Sequence, residues 1–333
     1  MKKVTIKELA EKAGVSITTV SRALNGYKDI NPKTKARILR LAEEMDYQPS
    51  GIARSLVTKK SRTLGLIVLD FTRSRRGHHF LFDIIYGVND RAADLGYDVV
   101  LAAGSPHRPQ GISYMELCRR RQLDGVILLG AKFQDPYLHE VLEASIPCVL
   151  IDIPLTAERC SFVSVDNVKA AKLAVEHLIG LGHRRIGFIN GHEDAYVSRL
   201  RLQGYRETMR EAGLEEAVFH GNFEEESGTT GIHHLLENHP DLTAVFCASD
   251  WMAIGAVNGL KRMNRSIPRD LAVVGFDDIE LARYVSPSLT TVHQPRYRFG
   301  LEAVNALVRL FEGEKGESVI LEPSLMIRES TSG

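Results

Sequence analysis

The sequence predicts an α/β protein in two unequal parts: a small three-helix domain at the amino terminus, then a core of two consecutive parallel sheets. Three observations predict it. Residues 1–61 carry 13 Lys and Arg against 6 Asp and Glu, whereas the remainder carries 29 against 36, so a zero net charge hides a basic piece and a mildly acidic one. From Thr63 onward, short runs rich in Val, Ile and Leu alternate with helical segments, the pattern of parallel strands buried on both faces. At 333 residues, 44% hydrophobic and 25% charged, the chain is long enough for two or three domains and has neither a disordered nor a fibrous composition. No apolar run reaches the roughly 18 to 20 residues needed to cross a bilayer. The opening MKKVTIKELAEKAG lacks the apolar stretch of a secretory signal. Cys118, Cys148, Cys160 and Cys247 stand singly, which argues against a disulfide framework or a zinc cluster. A cytoplasmic protein without membrane contact is expected.

The first helix is announced by Thr5-Ile6-Lys7-Glu8, a capping box in which the Thr5 hydroxyl accepts the Glu8 amide while Glu8 reaches back. Ile6, Leu9, Ala10 and Ala13 recur at helical spacing, and Gly14 supplies a left-handed stop. Ser16 caps a second helix only a few residues later, so the two must cross steeply, the outline of a helix-turn-helix. Within that second helix Val20, Ala23 and Leu24 share about 100° of arc. Ile17, Thr18, Ser21, Arg22 and Asn25 occupy a separate arc. An ordinary wet face would carry Lys and Glu; short hydroxyls, an amide and one Arg are groups that fit base edges and phosphates. The local positive charge suits a polyanion, although basic segments also serve solubility. Asn31 and Pro32 open a third helix running to about Met45, whose Ile38, Leu39, Leu41, Ala42 and Met45 would close the core. Lys33, Lys35, Arg37 and Arg40 suit phosphate contact or a solvated face equally.

In the next stretch, Tyr47 to Leu56, Pro49 breaks the third helix, Ser50 can cap, and Ile52, Ala53 and Leu56 make a short apolar stripe. So short a helix, weakened by Gly51, is marginal alone in water. It is either a frayed linker or a helix that folds against a second copy on DNA, where an apolar side chain can wedge between base pairs. Val57 to Arg62 is polar and reads as the domain boundary. VTIKELAEKAGVSITTVSRALNG and YQPSGIARSL, in this order and ahead of the α/β segment, resemble the helix-turn-helix and hinge helix of the lactose/galactose-repressor family of bacterial transcription regulators. The resemblance covers essentially the whole chain. It implies a DNA-binding domain over 1–48, a hinge helix and linker over 49–62, and a ligand-binding and dimerisation core over 63–333. It also implies that Ile17, Thr18 and Arg22 face bases in the major groove and that Leu56 enters the minor groove at the operator centre. The residues expected at double-stranded DNA are Thr5, Ser16, Ile17, Thr18, Thr19, Ser21, Arg22, Asn25, Asn31, Thr34, Ser50, Ala53 and Leu56. An aliphatic at 17 with Thr at 18 is a pair that varies within the family, so no operator sequence carries over.

Strands of the large segment are expected at LGLIVLD (64–70), YDVVLAAG (97–104), DGVILLG (124–130), PCVLID (147–152), SFVSVD (161–166), RIGFING (185–191), AVFCASD (244–250) and LAVVGFD (271–277). Helices are expected at 80–95, 111–122, 136–145, 167–181, 198–212, 225–238 and 251–263, with closing strands in ILEPSLMIRESTSG. Eight or more such units exceed one ordinary doubly wound sheet. Ligands of such sheets bind beyond the carboxyl ends of the strands, where Asp70, Asp152, Asp166, Asn190, Ser249, Asp250 and Asp277 fall. Any one of these can simply cap the next helix; together they suit a hydroxyl-rich small molecule in a cleft.

The family resemblance implies a two-lobed, periplasmic-binding-protein-like core with three chain crossings. Lobe one would span about 63–160 plus 293–321, and lobe two about 161–292 plus 322–333. VSRLRLQGY places Arg201 at the family's effector-gripping arginine, NFEEESG places Phe223 at an aromatic that covers the ligand, and CASDWMAIGA puts Ser249 and Asp250 at the cleft. GFDDIELARYVSPSLTTVHQP places Asp277 at the ligand-binding carboxylate, with Gln294 near the crossing strands, and Asp152 matches a further polar position. An aromatic over a ring, with a carboxylate and an arginine fork, suits a sugar or a base. Core packing for Phe223 and helix capping for Asp277 stay open, as do ligand contact and packing for Trp251. Arg73 to His79 reads as a mobile basic loop at the cleft rim rather than a metal site, and Arg119-Arg120-Arg121 as a solvated helix face.

The function expected is a sequence-specific DNA-binding regulator, a repressor, controlled by a small effector, a sugar or sugar derivative. With no leucine heptads at the carboxyl end, a homodimer is expected. A transport protein binding solutes would suit the core but not the amino-terminal helices or the lack of an export signal. An α/β enzyme finds no G-x-G-x-x-G, G-x-x-x-x-G-K-[ST] or G-x-S-x-G. The Asp277-Asp278 pair could serve as acid and base, but neighbours in sequence need not converge. No enzyme activity, cofactor or metal is expected.

Overall fold

The computed structural model describes residues 4–24, 27, 29–47, 60–69, 79–104, 113–132, 135 and 137–332. Asn25, Ser50, Ala53 and Leu56, the expected hinge helix, Asp70 and the basic loop up to 78 lie outside the described residues. The chain divides into two compact units, Met1–Thr63 and Leu64–Gly333.

The first unit contains α1 (Ile6–Ala13), α2 (Ile17–Leu24) and α3 (Pro32–Glu44). Thr5 Oγ1 accepts the Glu8 amide at 3.3 Å, and the Thr5 amide donates to the Glu8 carboxylate at 2.7 Å, completing the capping box. Gly14 takes φ 62° and its amide returns to the last carbonyls of α1, a conformation glycine adopts without Cβ conflict. Ser16 Oγ then accepts the Thr19 amide at 3.1 Å, so α2 starts at once. Leu9, Ala10, Ala13, Val20, Ala23, Ile38 and Ala42 form the core, with Leu24, Leu41, Met45 and Tyr47 packed around it. Leu39, expected in that core, is 41% exposed. Ile38 and Ala42 lie one turn apart on the buried stripe, and Leu39 is rotated about 100° away from Ile38.

The second unit runs β1 (Thr63–Leu69), α4 (His79–Asp94), β2 (Asp98–Gly104), α5 (Tyr114–Arg121), β3 (Gly125–Leu129), α6 (Leu138–Leu142), β4 (Cys148–Ile151) and β5 (Cys160–Val165). It continues through α7 (Asn167–Gly180), β6 (Ile186–Asn190), α8 (Tyr196–Glu211), β7 (Ala217–His220), α9 (Glu225–Asn238), β8 (Ala244–Cys247), α10 (Asp250–Arg262) and β9 (Ala272–Asp277). A 3-10 turn (Glu280–Arg283), β10 (Thr290–His293), α11 (Arg296–Phe311), β11 (Ser318–Leu321) and β12 (Ser324–Met326) close it. Two six-stranded sheets result, in the orders β11-β5-β4-β3-β1-β2 and β12-β10-β9-β8-β6-β7. In the first sheet β11, β5, β4, β3 and β1 pair in parallel, and so do β10, β9, β8, β6 and β7 in the second, where β12 joins β10 antiparallel. The central strands are buried throughout, as in Gly125–Leu129 and Ala272–Asp277.

The chain crosses between lobes after β5, before α11 and after β11. The family resemblance implies a first crossing near 160, which would give β5 to the second lobe. Cys160–Val165 instead pairs with β4, Cys148 opposite Cys160. An apolar run reads as a strand in either sheet, and only its neighbours decide which. The expected elements include neither α11 nor the strands β7 and β10. Yet Phe299, Ala303, Val304, Ala306, Leu307 and Leu310 of α11 are buried at helical spacing, a signal present in the sequence. Arg119 to Arg121 occupy the exposed last turn of α5, where positive charge faces the helix carboxyl end. Among the described residues no helix is long and apolar enough to cross a membrane, and no His, Cys, Asp or Glu group could hold a metal ion.

Candidate functional site

Two sites take shape, one on each unit. In the first, residues 17, 18, 21 and 22 share one face of α2, because steps of one, three and one residues return to the same arc. Ile17 is 47% exposed, an apolar side chain left in water beside exposed Thr18. Ser21 and Arg22 are half-buried. The Arg22 guanidinium lies 4.9 Å over the Tyr27 ring and pairs with the Asp29 carboxylate, so its long stem is held from two sides. Neither Tyr27 nor Asp29 was singled out from sequence; their pattern had no helical register to betray them. Thr5, Ser16 and Asn31 are helix caps, with the Lys33 amide 3.0 Å from Asn31 Oδ1. Thr19 bonds Ser16 through its hydroxyl at 2.9 Å, and Thr34 is half-buried.

In the second unit a cavity of about 830 Å³ opens at the carboxyl ends of strands from both sheets. Leu69, Gly130 and Asp152 line it from the first lobe, and His192, Arg201, Phe223, Ser249, Trp251 and Asp277 from the second. Five of the seven expected effector residues therefore meet. The other two lie behind the wall. Asp250, fully buried in the first turn of α10, accepts from Thr291 Oγ1 at 2.5 Å and the Ile279 amide at 2.8 Å, tying β10 to the turn after β9. Gln294 donates to Asp277 Oδ1 at 2.7 Å and so orients the carboxylate rather than bordering the space. Asp166 caps α7 through the Lys169 amide, and Ser249 caps α10 while still facing the cavity.

Arg201 is 3% exposed and held by three contacts where it borders the cavity. Its Nε donates to Asn167 Oδ1 at 2.9 Å, its Nη1 to the Ala248 carbonyl at 2.7 Å, and its plane lies 3.6 Å from the Phe276 ring centre. Asn167 in turn donates to Ser164 Oγ at 3.3 Å, and Ser164 to Asp152 at 2.7 Å. A polar relay therefore runs from Asp152 in the first lobe to Arg201 in the second, across the crossing after β5. Burial lowers the Arg201 pKa against the pull of Asp277, Asp152 and Asp250. It raises that of Asp152, opposed by Ser164 and Arg201. Burial pushes Asp277 up to about 6, with Arg201, Arg296 and Gln294 restraining the rise. Two carboxylates and one guanidinium, all desolvated and directional, can grip a ligand that offers several hydroxyls.

Phe223 takes φ 69° and its ring meets that of His192 edge-on at 5.3 Å. Gly191 makes room for it: a Cβ there would fall 2.0 Å from the Phe223 ring. His192, Tyr196, Asn222 and Lys132 also line the cavity and were not anticipated, being loop or helix-end residues without a strand-end signature.

Residues 5–50 match the family described as bacterial regulatory proteins, lacI family, and residues 175–331 match a periplasmic binding protein-like domain. The chain is 37% identical to the HTH-type transcriptional regulator CelR of Thermobifida fusca, over 98% of either protein. It is 35% identical to the HTH-type transcriptional repressor CytR of Escherichia coli (strain K12), over 98% of this chain and 96% of the relative. Among solved structures it is similar to a transcriptional regulator CelR–cellobiose complex, with 34% identity, TM-score 0.73 and coverage of 98% and 100%. It is also similar to the lac repressor dimer bound to operator and the anti-inducer ONPF, with 27% identity, TM-score 0.81 and coverage of 100% on both sides. With its amino-terminal helices, its two-sheet core and relatives of this identity along its whole length, the chain belongs to the lacI family of bacterial regulatory proteins.

Proposed function

We propose that this protein is a cytoplasmic repressor that binds a pseudopalindromic double-stranded operator as a homodimer and responds to a sugar or sugar derivative held between its lobes. The observation that carries this reading is the α2 face: Ile17, Thr18, Ser21 and Arg22 share one arc, free of Lys and Glu, on a unit with a surplus of positive charge. Ile17, Thr18 and Arg22 contact base edges, and the capping and hydroxyl residues Thr5, Ser16, Thr19, Ser21, Asn31 and Thr34 position the backbone. The domain of 1–48 reads DNA, 49–62 links it, and the core from 63 onward binds the effector and the second protomer. Asp152, Arg201, Phe223, Ser249 and Asp277 contact the effector, with Asp250 and Gln294 supporting them from behind. Relatives support each half: the lac repressor structure is a dimer on operator, and the CelR structure holds cellobiose.

Selection from randomised duplexes tests the DNA half. A two-fold-symmetric site should be enriched, bound with an affinity that falls steeply as salt rises. Enrichment of no symmetric site refutes it. Thermal shift against cellobiose, ribose and other neutral and phosphorylated sugars tests the effector half, since a ligand of the native state raises the melting temperature. A shift that survives in both Asp277→Ala and Arg201→Ala moves the effector elsewhere.

A further inference from the structure

Arg296 opens α11, the helix by which the chain re-enters the first lobe, yet its guanidinium lies against the second. Nη1 donates to the main-chain carbonyl of Asp277 and Nη2 to that of Asp278 at 3.1 Å, while Nε donates to Asp83 Oδ2 on α4 at 2.9 Å. The two carbonyls belong to residues with φ of 120° and 53°, conformations that a side-chain-bearing residue holds only when its surroundings impose them. This turn aims the Asp277 carboxylate at the cavity. At its other end, Arg296 is anchored to a rigid pair. A Cβ on Gly87 of α4 would fall 2.1 Å from the Tyr297 carbonyl oxygen, and one on Gly300 of α11 would fall 2.3 Å from that of Ile84. So close an approach, reinforced by Tyr297 to Asp90 at 2.9 Å and Arg91 to Asn305 at 2.7 Å, makes α4 and α11 move together.

We propose that Arg296, braced by Asp83, is a positioning residue that couples Asp277 to the α4–α11 pair, so that a ligand engaging Asp277 in the second lobe is felt by the first. This rests on the effector reading given above. A planar fork serves three acceptors in three directions at once, which a lysine ammonium on a flexible stem does not reproduce. Arg296 is not among the residues lining the cavity, so it acts through Asp277 and not by touching the ligand.

The test uses full-length wild type, Asp83→Asn and Arg296→Lys, the selected duplex, and as probe cellobiose or whichever sugar of the panel shifts wild type most. Asp83 is half-exposed, so Asp83→Asn should fold and bind the probe within about twofold of wild type. Its ratio of operator affinities with and without probe should fall at least about fivefold toward unity. Arg296→Lys should bind the probe about tenfold or more weakly. A merely structural role would lower the melting temperature and leave the affinity ratio of Asp83→Asn intact, which overturns the proposal, as does wild-type probe affinity in Arg296→Lys. If wild type itself responds to no probe, the effector reading falls and the coupling with it; if wild type responds and Asp83→Asn responds equally, only the coupling falls.

Discussion

Asp277→Asn removes a charge from the base of the cleft while keeping its shape. Asparagine retains the Oδ1 that accepts from Gln294, and the main-chain carbonyl held by Arg296 is untouched. It also tolerates positive φ better than most residues. In the folded protein the Asp277 carboxyl is pushed up to about 6, chiefly by burial, whereas an unfolded aspartate titrates near about 3.9. Because the folded value is the higher, the native state holds this proton more tightly. Its contribution to stability is present below about pH 4 and is lost as pH rises to about 6. The gap of about two pH units corresponds to about 2 to 3 kcal/mol at pH 7.5. The Asn variant, with no charge to desolvate, should be more stable by about that amount at pH 7.5 and nearly equal to wild type at pH 4. Calorimetric melting of the ligand-free full-length protein reads this as a gain of roughly 4 to 12 °C at pH 7.5, at about 2 to 4 °C per kcal/mol for the core. The same variant should lose its thermal response to sugar, a trade of stability for binding. A variant less stable than wild type at pH 7.5, or changed equally at both pH values, would refute the reasoning.

Two further outcomes test the local construction. Ser16→Ala removes the hydroxyl that accepts the Thr19 amide and should cost the first unit about 1 kcal/mol. The Thr19 amide should exchange faster and operator affinity should fall about fivefold; unchanged exchange would contradict the cap. Gly191→Ala places a methyl 2.0 Å from the Phe223 ring, so the ring must leave its place beside His192. Overpacking of this kind costs about 1 to 3 kcal/mol. The ligand-induced thermal shift should shrink by more than the unliganded melting temperature does, and equal losses would assign Phe223 to packing alone.

Much was legible because it depends on neighbours in sequence. The capping box at Thr5 and Glu8, the Gly14 stop and the Ser16 cap are bonds between residues no more than four apart, and each formed as the pattern required. The strand runs were legible because buried parallel strands need continuous Val, Ile and Leu. Helix α11 carries the same kind of signal in its buried face, at Phe299, Ala303, Leu307 and Leu310. By contrast, Asp250 and Asp277 look alike as carboxylates at strand ends. Only the pairing of β8, β9 and β10 turns one toward Thr291 and Ile279 and leaves the other on the cavity.

The amino-acid order by itself determined that three capped helices precede an alternating α/β core, and which face of α2 stays polar and bare of Lys. Tertiary structure alone decided that β5 belongs to the first sheet, that Tyr27 and Asp29 hold Arg22, and that Arg296 reaches back across the crossing to the turn carrying Asp277. The physical reason is what a repeat can encode. Caps, stops and helical periodicity are written in the repeat of one helix, whereas sheet membership and the partners of a charge depend on which groups the fold brings alongside, from as near as Asp29 to Arg22 to as far as Ser318 to Phe162, and no periodic pattern encodes that.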